Sequence, residues 1–344
     1  SGSMHTLVID YAGEPQSTPA PSARPDLSEG LGWNVVADGS VYTFQEPYGA
    51  FTWYPVNDHP SDEALYDVAI TTRDGNVGVF NGVLQSSDTA DNEIINRWHV
   101  EDPTASYLTT LAIGPYRRHV DTTSSGTDIS YWFRPVDKHV LPELRSQAVK
   151  AFEWAERHLG PYPFDSLGYV VVGGTSAMET QTLITISAQA AGRSDAVVLH
   201  ELSHQWFGDS VTLRDWTDLW LNEGWAMYAQ QWYETDTGQP QYAGGLSQWR
   251  SYDAESRHRS GPPGDYEPDS FGDINVYLGP ALMLDRIRQR IGDDEFEHVV
   301  KAWPAEHAGQ TVDRETFTTW INEETGKDLT ALIDEWLDSP QTPR

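Results

Sequence analysis

The amino-terminal part of the chain alternates short apolar stretches with turn-forming residues. Across residues 7–131, β-branched and aromatic residues cluster in segments such as 41–44, 66–72 and 77–80, and Gly, Pro, Asn and Asp separate these segments. Short runs interrupted in this way are typical of β-strands joined by turns. The pattern therefore predicts mostly β structure, with a loop at 14–25 where Pro is frequent.

The apolar period changes after about residue 140. Apolar residues at 141–159 recur at the three- and four-residue spacing of a helix, and Gly160-Pro161 ends this pattern. The change predicts two domains: a β-rich domain over residues 1–140 and a second domain over residues 141–344.

Strands and helices both follow in the second part. Apolar runs at 168–173 and 182–187 predict strands. Ser194 or Asp195 is positioned to cap a helix over 196–207. Beyond this helix the pattern is mainly helical.

The composition indicates a folded, acidic protein. Hydrophobic residues make up 38% and aromatic residues 12% of the 344 residues, unlike the composition of disordered chains. The 22 basic and 52 acidic residues give a net charge of −30, which repels nucleic-acid phosphates and anionic lipid headgroups. No apolar run approaches the ~18 residues that span a bilayer. We therefore predict no nucleic-acid partner and no membrane partner.

The chain contains no Cys, so any metal must be held by His and carboxylate side chains. The string HELSH, which begins at His200, matches the HExxH pattern inside the predicted helix. His200 and His204 share one helical face and can bind one ion, while Glu201 lies beside the open coordination position. Glu223, in the next helical stretch, completes a two-His, one-Glu site, and Asp218 is a candidate to orient one imidazole. We predict one catalytic zinc ion per chain.

The segments LHELSHQWFG at 199–208 and DLWLNEG at 218–224 resemble the gluzincin zinc aminopeptidases, the family of aminopeptidase N and leukotriene hydrolase. The spacing between His204 and Glu223 also matches that family. The resemblance implies an α+β fold: a β-rich amino-terminal domain, in the form of a partial β-sandwich or saddle, followed by a thermolysin-like, mainly α-helical zinc peptidase domain. It also implies hydrolytic removal of amino-terminal residues from peptides, with a zinc-bound water as the nucleophile and Glu201 as the catalytic acid and base.

The string SAMET at 176–180 resembles the family's GAMEN motif. The resemblance implies that Glu179 binds the free amino group of the substrate and that the backbone at Ala177 and Met178 lines the scissile bond. The first and last positions differ from the usual Gly and Asn, so the contacts of those two positions do not carry over. Outside this context, a lone Glu beside an edge strand would be a solvated residue.

The string FQEP at 44–47, followed by DHP at 58–60, resembles the β-domain segment that supplies a second residue for the substrate amine. By register that residue is Glu46. Two carboxylates on one ammonium would select free amino termini, because an acylated substrate leaves both carboxylates unpaired. The alternative is that Glu46 is an ordinary turn residue before Pro47.

The string VYLGP at 276–280 aligns with the helix start that carries the family's catalytic Tyr. The resemblance implies that Tyr277 donates a hydrogen bond to the developing oxyanion. A Gly-Pro pair replaces the usual Lys-Gly or Arg-Gly, and Pro is acceptable in a first helical turn because its missing N–H would be unpaired there anyway. Tyr266 and Tyr252 are the alternatives, and a packing role for Tyr277 stays open.

The resemblance covers nearly the whole chain but only part of the family's architecture. We expect the first half of the usual β domain to be missing before Met4 and the large helical carboxy-terminal domain to be missing after Arg344. The chain would then be a fragment or a natural short form, and another polypeptide could supply the absent strands. The predicted partners are peptide substrates with free amino termini.

Three other functions stay open. A zinc endopeptidase would cleave amino-blocked peptides, and an epoxide hydrolase activity occurs in one branch of the family. A catalytically weak fragment could act as a peptide-binding module, although the intact Glu201 argues against this. The composition favours export from a Gram-positive bacterium, with the cytoplasm of a salt-adapted cell as the alternative. The preferred first side chain of the substrate is not predicted.

Overall fold

The computed structural model describes residues 5–22, 27–192, 194–238 and 245–344. Its strands before residue 140 are β1 Ser17–Thr18, β2 Leu31–Val35, β3 Val41–Phe44, β4 Glu63–Arg73, β5 Val77–Phe80, β6 Val83–Ala90, β7 Glu93–Ala105, β8 Leu111–Gly114, β9 Arg117–Thr122 and β10 Asp128–Phe133. Its later strands are β11 Leu167–Val172, β12 Ala177–Met178, β13 Leu183–Ser187, β14 Val211–Leu213 and β15 Gln310–Val312.

The α-helices of the described residues follow residue 140. They are α1 Leu141–Leu159, α2 Ala188–Ala191, α3 Asp195–Ser203, α4 Trp220–Thr237, α5 Gly245–Ser260, α6 Asn275–Ile291, α7 Asp293–His307, α8 Arg314–Thr325 and α9 Thr330–Asp338. The α+β fold class and the change from strands to helices are confirmed. Among the residues that the structure describes, no helix combines the length and the apolar character needed to cross a membrane.

Strands β1 to β8 form two antiparallel sheets. One has the order β1-β2-β3-β8-β5, and the other is a three-stranded ribbon with the order β4-β7-β6. The ribbon pairs Arg73 with Glu93 at one end and Glu63 with Ala105 at the other. The predicted loop at 14–25 contains the short strand β1, and its last three residues lie outside the described part of the chain.

A third sheet, with the order β12-β13-β11-β10-β9, forms the centre of the molecule. Strand β11 pairs in parallel with both β10 and β13, while β9 and β12 are antiparallel edge strands. Strands β9 and β10 precede residue 140 in the chain, yet they lie in the same sheet as β11 to β13. The division at residues 1–140 and 141–344 stays a prediction.

The central sheet is covered on both faces. Along β11, Tyr169 and Val171 belong to the apolar cluster formed with the helices. Val170 and Val172 point to the opposite face and belong to the cluster formed with β3, β5, β7 and β8. Successive strand residues face opposite sides, so a strand buried on both faces is a continuous apolar run. Burial of β11 on both faces therefore explains the continuous apolar run at 168–173 in the sequence.

Helix α3 ends earlier than the sequence predicts. Ser194 caps it, accepting a hydrogen bond from Ala196 N at 3.0 Å, as one of the two predicted caps. The helix stops at Ser203, and a π-turn over 205–209 replaces the predicted last turn. Gly208 has φ +133°, which side-chain-bearing residues rarely adopt, and a Cβ there would lie 3.0 Å from Asn222 Nδ2.

Helices α4 and α6 approach each other closely at one point. A Cβ on Gly224 would lie 2.5 Å from Pro280 Cβ, so glycine is required for this contact. Pro280 is the sixth residue of α6, and the expectation that it lies in the first helical turn is wrong because the helix begins at Asn275. The close approach places the start of α6, with Tyr277, beside the start of α4, with Glu223.

Candidate active site

Three donor atoms converge where α3 meets α4. His200 Nε2 lies 3.2 Å from Glu223 Oε2 and 3.3 Å from His204 Nε2, and His204 Nε2 lies 3.5 Å from Glu223 Oε2. The two imidazoles come from the carboxyl end of α3, and Glu223 comes from the first turn of α4. The structure therefore brings the three predicted metal ligands to one point.

This donor set fits zinc. Two imidazole nitrogens and one carboxylate oxygen lie within 4.8 Å of one another, and three protein ligands leave a fourth tetrahedral position for water. Burial by itself would raise the pKa of the Glu223 carboxyl, but its contacts with the His200 and His204 imidazoles lower that pKa below its usual range. Glu223 is therefore ionised, as a metal ligand must be.

A backbone carbonyl orients His204. Its Nδ1–H donates to Phe207 O at 3.1 Å, which leaves the lone pair of Nε2 facing His200 and Glu223. Asp218 does not take this role. Its Oδ1 accepts hydrogen bonds from Trp220 Nε1 at 3.3 Å and Arg314 N at 3.2 Å. The expectation for Asp218 is wrong because the π-turn after α3 supplies the acceptor instead.

A cavity of about 450 Å³ opens beside the three ligands. Glu201, Glu46, Glu179 and Tyr277 all line it, so the structure brings four further predicted site residues to one space. One carboxylate oxygen each from Glu46, Glu179 and Glu223 lies within 4.8 Å of the others. A cavity with convergent carboxylates suits a small, positively charged group of a ligand.

The backbone pairing of β12 positions Glu179. Ala177 and Met178 pair with Ile186 and Thr185 of β13 at the edge of the central sheet, and Glu179 follows directly. Glu179 is only 3% exposed, so it is not the solvated residue that an isolated Glu beside an edge strand would be. Ala177 lines the cavity, whereas the Met178 side chain packs in an apolar cluster beneath it.

Gln205, which the sequence analysis did not single out, connects the metal-binding helix to the Glu179 segment. Its Nε2 donates to Glu179 O at 3.0 Å and to Asp209 Oδ2 at 2.6 Å. Its Oε1 accepts from Thr182 N at 2.9 Å. In the sequence, Gln205 could have been noticed as a polar residue next to HELSH in an otherwise apolar run. A buried amide in such a run needs hydrogen-bond partners.

Thr180, which replaces the usual Asn, closes the turn after Glu179. Its hydroxyl donates to Leu183 O and accepts from Thr185 N at 3.1 Å. Asp209 is a second residue that the sequence analysis missed. Burial, reinforced by the nearby negative charge of Glu179, raises the pKa of Asp209 well above its usual value.

Glu46 reaches the cavity from the amino-terminal sheets. It follows β3, and its neighbour Gln45 is fully buried. Gln45 Nε2 donates to Ser106 O at 2.7 Å and to Thr109 O at 2.8 Å, and Trp53 Nε1 donates to Gln45 Oε1 at 2.9 Å. Gln45 points inward, so alternation along the extended chain turns Glu46 to the cavity side.

Tyr277 lies beside the metal ligands. It is the third residue of α6, and its ring stacks on the His200 ring at a centroid distance of 6.0 Å. Of the two alternatives, Tyr266 donates its hydroxyl to Trp216 O at 2.7 Å, away from this point. Tyr252 lines the cavity but is 44% exposed, and its hydroxyl accepts from Gln248 Nε2 at 2.9 Å. Of the three candidates, Tyr277 is the one whose ring contacts a metal ligand.

The sequence matches a known family over more than half of its length. The profile of the peptidase family M1 domain matches residues 145–336. Aminopeptidase 2 of Candida albicans is 25% identical over 98% of this chain and 38% of its own length. Human glutamyl aminopeptidase is 28% identical over 65% of this chain and 25% of its own length. The chain thus spans less than half the length of these curated relatives.

A solved structure shares the fold. The M1 zinc metallopeptidase of Deinococcus radiodurans is 25% identical to this chain, with a TM-score of 0.81 over 96% of this chain and 75% of the other. The similarity extends over both the β-rich sheets and the helices. The predicted arrangement of a β-rich region followed by a zinc peptidase fold is therefore confirmed.

Proposed function

Because the chain belongs to peptidase family M1, we propose that it is a zinc-dependent aminopeptidase that hydrolyses the first peptide bond of substrates with a free amino terminus. One observation carries the proposal. The Glu46 and Glu179 carboxylates converge next to Glu223, so an amine-binding pair adjoins the three metal ligands in one cavity. A site that holds an ammonium beside its metal places the first peptide bond at the reacting position.

His200, His204 and Glu223 would hold the zinc ion, which when bound would supply a Lewis acid for the scissile carbonyl and lower the pKa of the attacking water. The Glu201 carboxylate accepts the proton of that water and donates it to the departing amine nitrogen. The Tyr277 phenol donates a hydrogen bond to the carbonyl oxygen as negative charge develops there.

Glu46 and Glu179 select the free amino terminus. Each carboxylate gains a charged partner when an ammonium binds between them, and both lose it when the amine is acetylated. The extended backbone at Ala177 and Met178 runs along the same side of the cavity and is proposed to align the substrate backbone. A separate polypeptide that adds strands to the amino-terminal sheets stays a prediction.

The test compares aminoacyl arylamides with free and acetylated amino termini, each with and without a zinc chelator. We expect chelator-sensitive cleavage of the free forms only. The matched control is the Glu201→Gln variant, which keeps the shape of the cavity and removes the proton acceptor. Equal cleavage of acetylated substrates would favour an endopeptidase, and absence of all cleavage with intact peptide binding would favour a binding module.

A further inference from the structure

The described lining of the cavity contains five carboxylates: Glu46, Glu179, Glu201, Glu223 and Asp273. The proposed function uses the first four, to hold the amine, to move the proton and to bind the metal. Asp273 has no role there. Among the described lining residues no Arg or Lys is present.

Asp273 is already paired within the protein. Arg259, near the end of α5, donates through Nη2 to Oδ1 at 2.9 Å and to Oδ2 at 2.7 Å, and through Nε to Oδ2 at 3.0 Å. Ser260 Oγ also donates to Oδ2, and Ile274 N donates to Oδ1 at 2.8 Å. Burial alone would raise the pKa of Asp273, but these hydrogen bonds hold it below its usual value. The carboxylate is ionised, and the guanidinium neutralises its charge.

The rest of the cavity wall is apolar and comes from several elements. Phe44 lies on β3, Met227 on α4, Trp249 on α5 and Leu278 on α6, and Phe271 precedes α6. Met227, Trp249, Phe271 and Leu278 are at most 5% exposed. Such a wall stabilises a ligand side chain that buries apolar surface.

We propose, on the basis of the proposed function, that the cavity accepts a neutral, apolar first side chain and that Arg259 enforces this preference by neutralising Asp273. A basic first side chain finds its one unused carboxylate partner occupied by Arg259. An acidic first side chain finds no Arg or Lys among the described lining residues and meets the carboxylates of Glu46, Glu179 and Glu201. A glutamyl preference, as in the name of the human relative, would call for an Arg or Lys beside the first side chain, and the described lining residues include neither.

The preference is tested with arylamides of Leu, Phe, Met, Arg, Lys, Glu and Asp. We expect kcat/KM for the apolar group to exceed that for Arg and Lys by about tenfold, and that for Glu and Asp by more, because an unpaired charge in the cavity costs more than a lost methylene. Equal or higher values for Arg, Lys, Glu or Asp would overturn the proposal.

The role of Arg259 is tested by the Arg259→Gln variant, which is expected to raise the ratio of kcat/KM for Arg over Leu roughly fivefold, since Asp273 then has a free charge to offer. The double variant Arg259→Gln/Asp273→Asn should lose this gain. The matched control is Arg73→Gln, which removes an exposed ion pair with Glu93 in the ribbon, far from the cavity, and should leave the ratio unchanged. An unchanged ratio in Arg259→Gln, with a melting temperature near that of the native chain, would overturn the role of Arg259.

Binding separates this inference from the proposed function. Calorimetry on the zinc-loaded Glu201→Gln variant measures the affinity of leucinamide, argininamide and glutamic acid α-amide without turnover. Tighter binding of leucinamide with no cleavage of any arylamide by the native chain would refute the aminopeptidase and support the preference. Cleavage of free-amine substrates at equal rates for all first side chains, or faster for Arg and Lys, would support the aminopeptidase and refute the apolar preference.

Discussion

The helical region and the amino-terminal sheets bury their side chains to different extents, and they contribute differently to the site. Helix α4 buries most of its residues up to Glu234, polar ones included: Asn222, Gln230 and Glu234 are each at most 5% exposed. The β4-β7-β6 ribbon leaves most of one face in solvent, with Leu65 63% exposed. The three metal ligands all lie in the densely packed helical region. The amino-terminal sheets supply one carboxylate to the cavity, that of Glu46.

The difference in burial matches the different precision that metal binding and ammonium binding require. Metal ligands must hold their donor atoms within a few tenths of an ångström, and densely packed helices provide that precision. Holding an ammonium tolerates more variation, because a charge-assisted contact to a carboxylate can form over a range of geometries. Catalysis is therefore expected to depend on the helical region, and selection of the amine on the contact between both regions.

The largest effect is expected in the helical region. Glu201→Gln should lower kcat by roughly 10²- to 10⁴-fold and leave the zinc content unchanged, because an amide cannot accept the proton of the attacking water. Glu223→Ala should lose the zinc itself, since two imidazoles alone remain. Metal analysis and steady-state kinetics measure both results. A Glu201→Gln variant with near-native kcat would refute the role assigned to Glu201.

Tyr277→Phe, also in the helical region, is expected to have the next largest effect. Loss of one hydrogen-bond donor to a developing oxyanion costs about 3 kcal/mol, or roughly a hundredfold in kcat, with little change in KM. Tyr266→Phe is the matched control, because its hydroxyl binds Trp216 O and not the cavity. A larger loss of kcat in the control than in Tyr277→Phe would show that the wrong phenol has been assigned.

Glu46→Gln examines the contribution of the sheets. Removing one of two carboxylates from an ammonium should lower kcat/KM for free-amine substrates by about tenfold to a hundredfold, since such charged hydrogen bonds contribute about 1.5–3 kcal/mol. Glu179→Gln, across the cavity, should do the same. Residual cleavage of acetylated substrates should not fall further in either variant. Glu93→Gln, in the exposed ribbon, is the control. A drop in kcat/KM confined to Glu179→Gln would place amine binding in the central sheet alone.

The smallest effect is expected in the pH dependence of the free energy of unfolding, through the buried carboxyl of Asp218 just before α4. Burial raises the pKa of Asp218 to about 6, against 3.8 in an exposed carboxyl. The native state therefore holds this proton more tightly than the unfolded chain, and stability falls as pH rises from about 4 to 6. Asp218→Asn should remove a pH-dependent loss on the order of 2 kcal/mol.

Unfolding in denaturant at pH 4 and pH 7 measures this effect. The free energy of unfolding of Asp218→Asn should decline less between these two pH values than that of the native chain. Asp88→Asn, on the exposed strand β6, is the control. A native chain and an Asp218→Asn variant with the same pH dependence would contradict the raised pKa.

Local sequence patterns predicted much of what is local in the structure. The Ser194 cap, the helical placement of His200 and the apolar run of β11 each follow from residues near one another in the chain. The end of α3 was predicted incorrectly, because the π-turn depends on Gly208 fitting against Asn222, which belongs to another helix. Pro280 was misplaced in α6 for a different reason: the helix start was judged from the Pro itself, whereas the helix begins at Asn275.

By itself, the sequence predicted the change from strands to helices from the periods of regular structure, and it predicted the metal ligands from the HExxH pattern with Glu223 in the next helical stretch. Glu46 and Glu179 were predicted from their resemblance to family motifs and not from any period. Only the tertiary structure showed that Gln205 bonds to the Glu179 segment, that Phe207 O orients His204 and that Arg259 neutralises Asp273. Hydrogen bonds and ion pairs of this kind depend on how helices, turns and sheets pack in three dimensions. No local pattern of residues specifies that packing, so the carboxylates proposed to bind the amine could be named from sequence motifs, whereas the pairing of Asp273 with Arg259 could not.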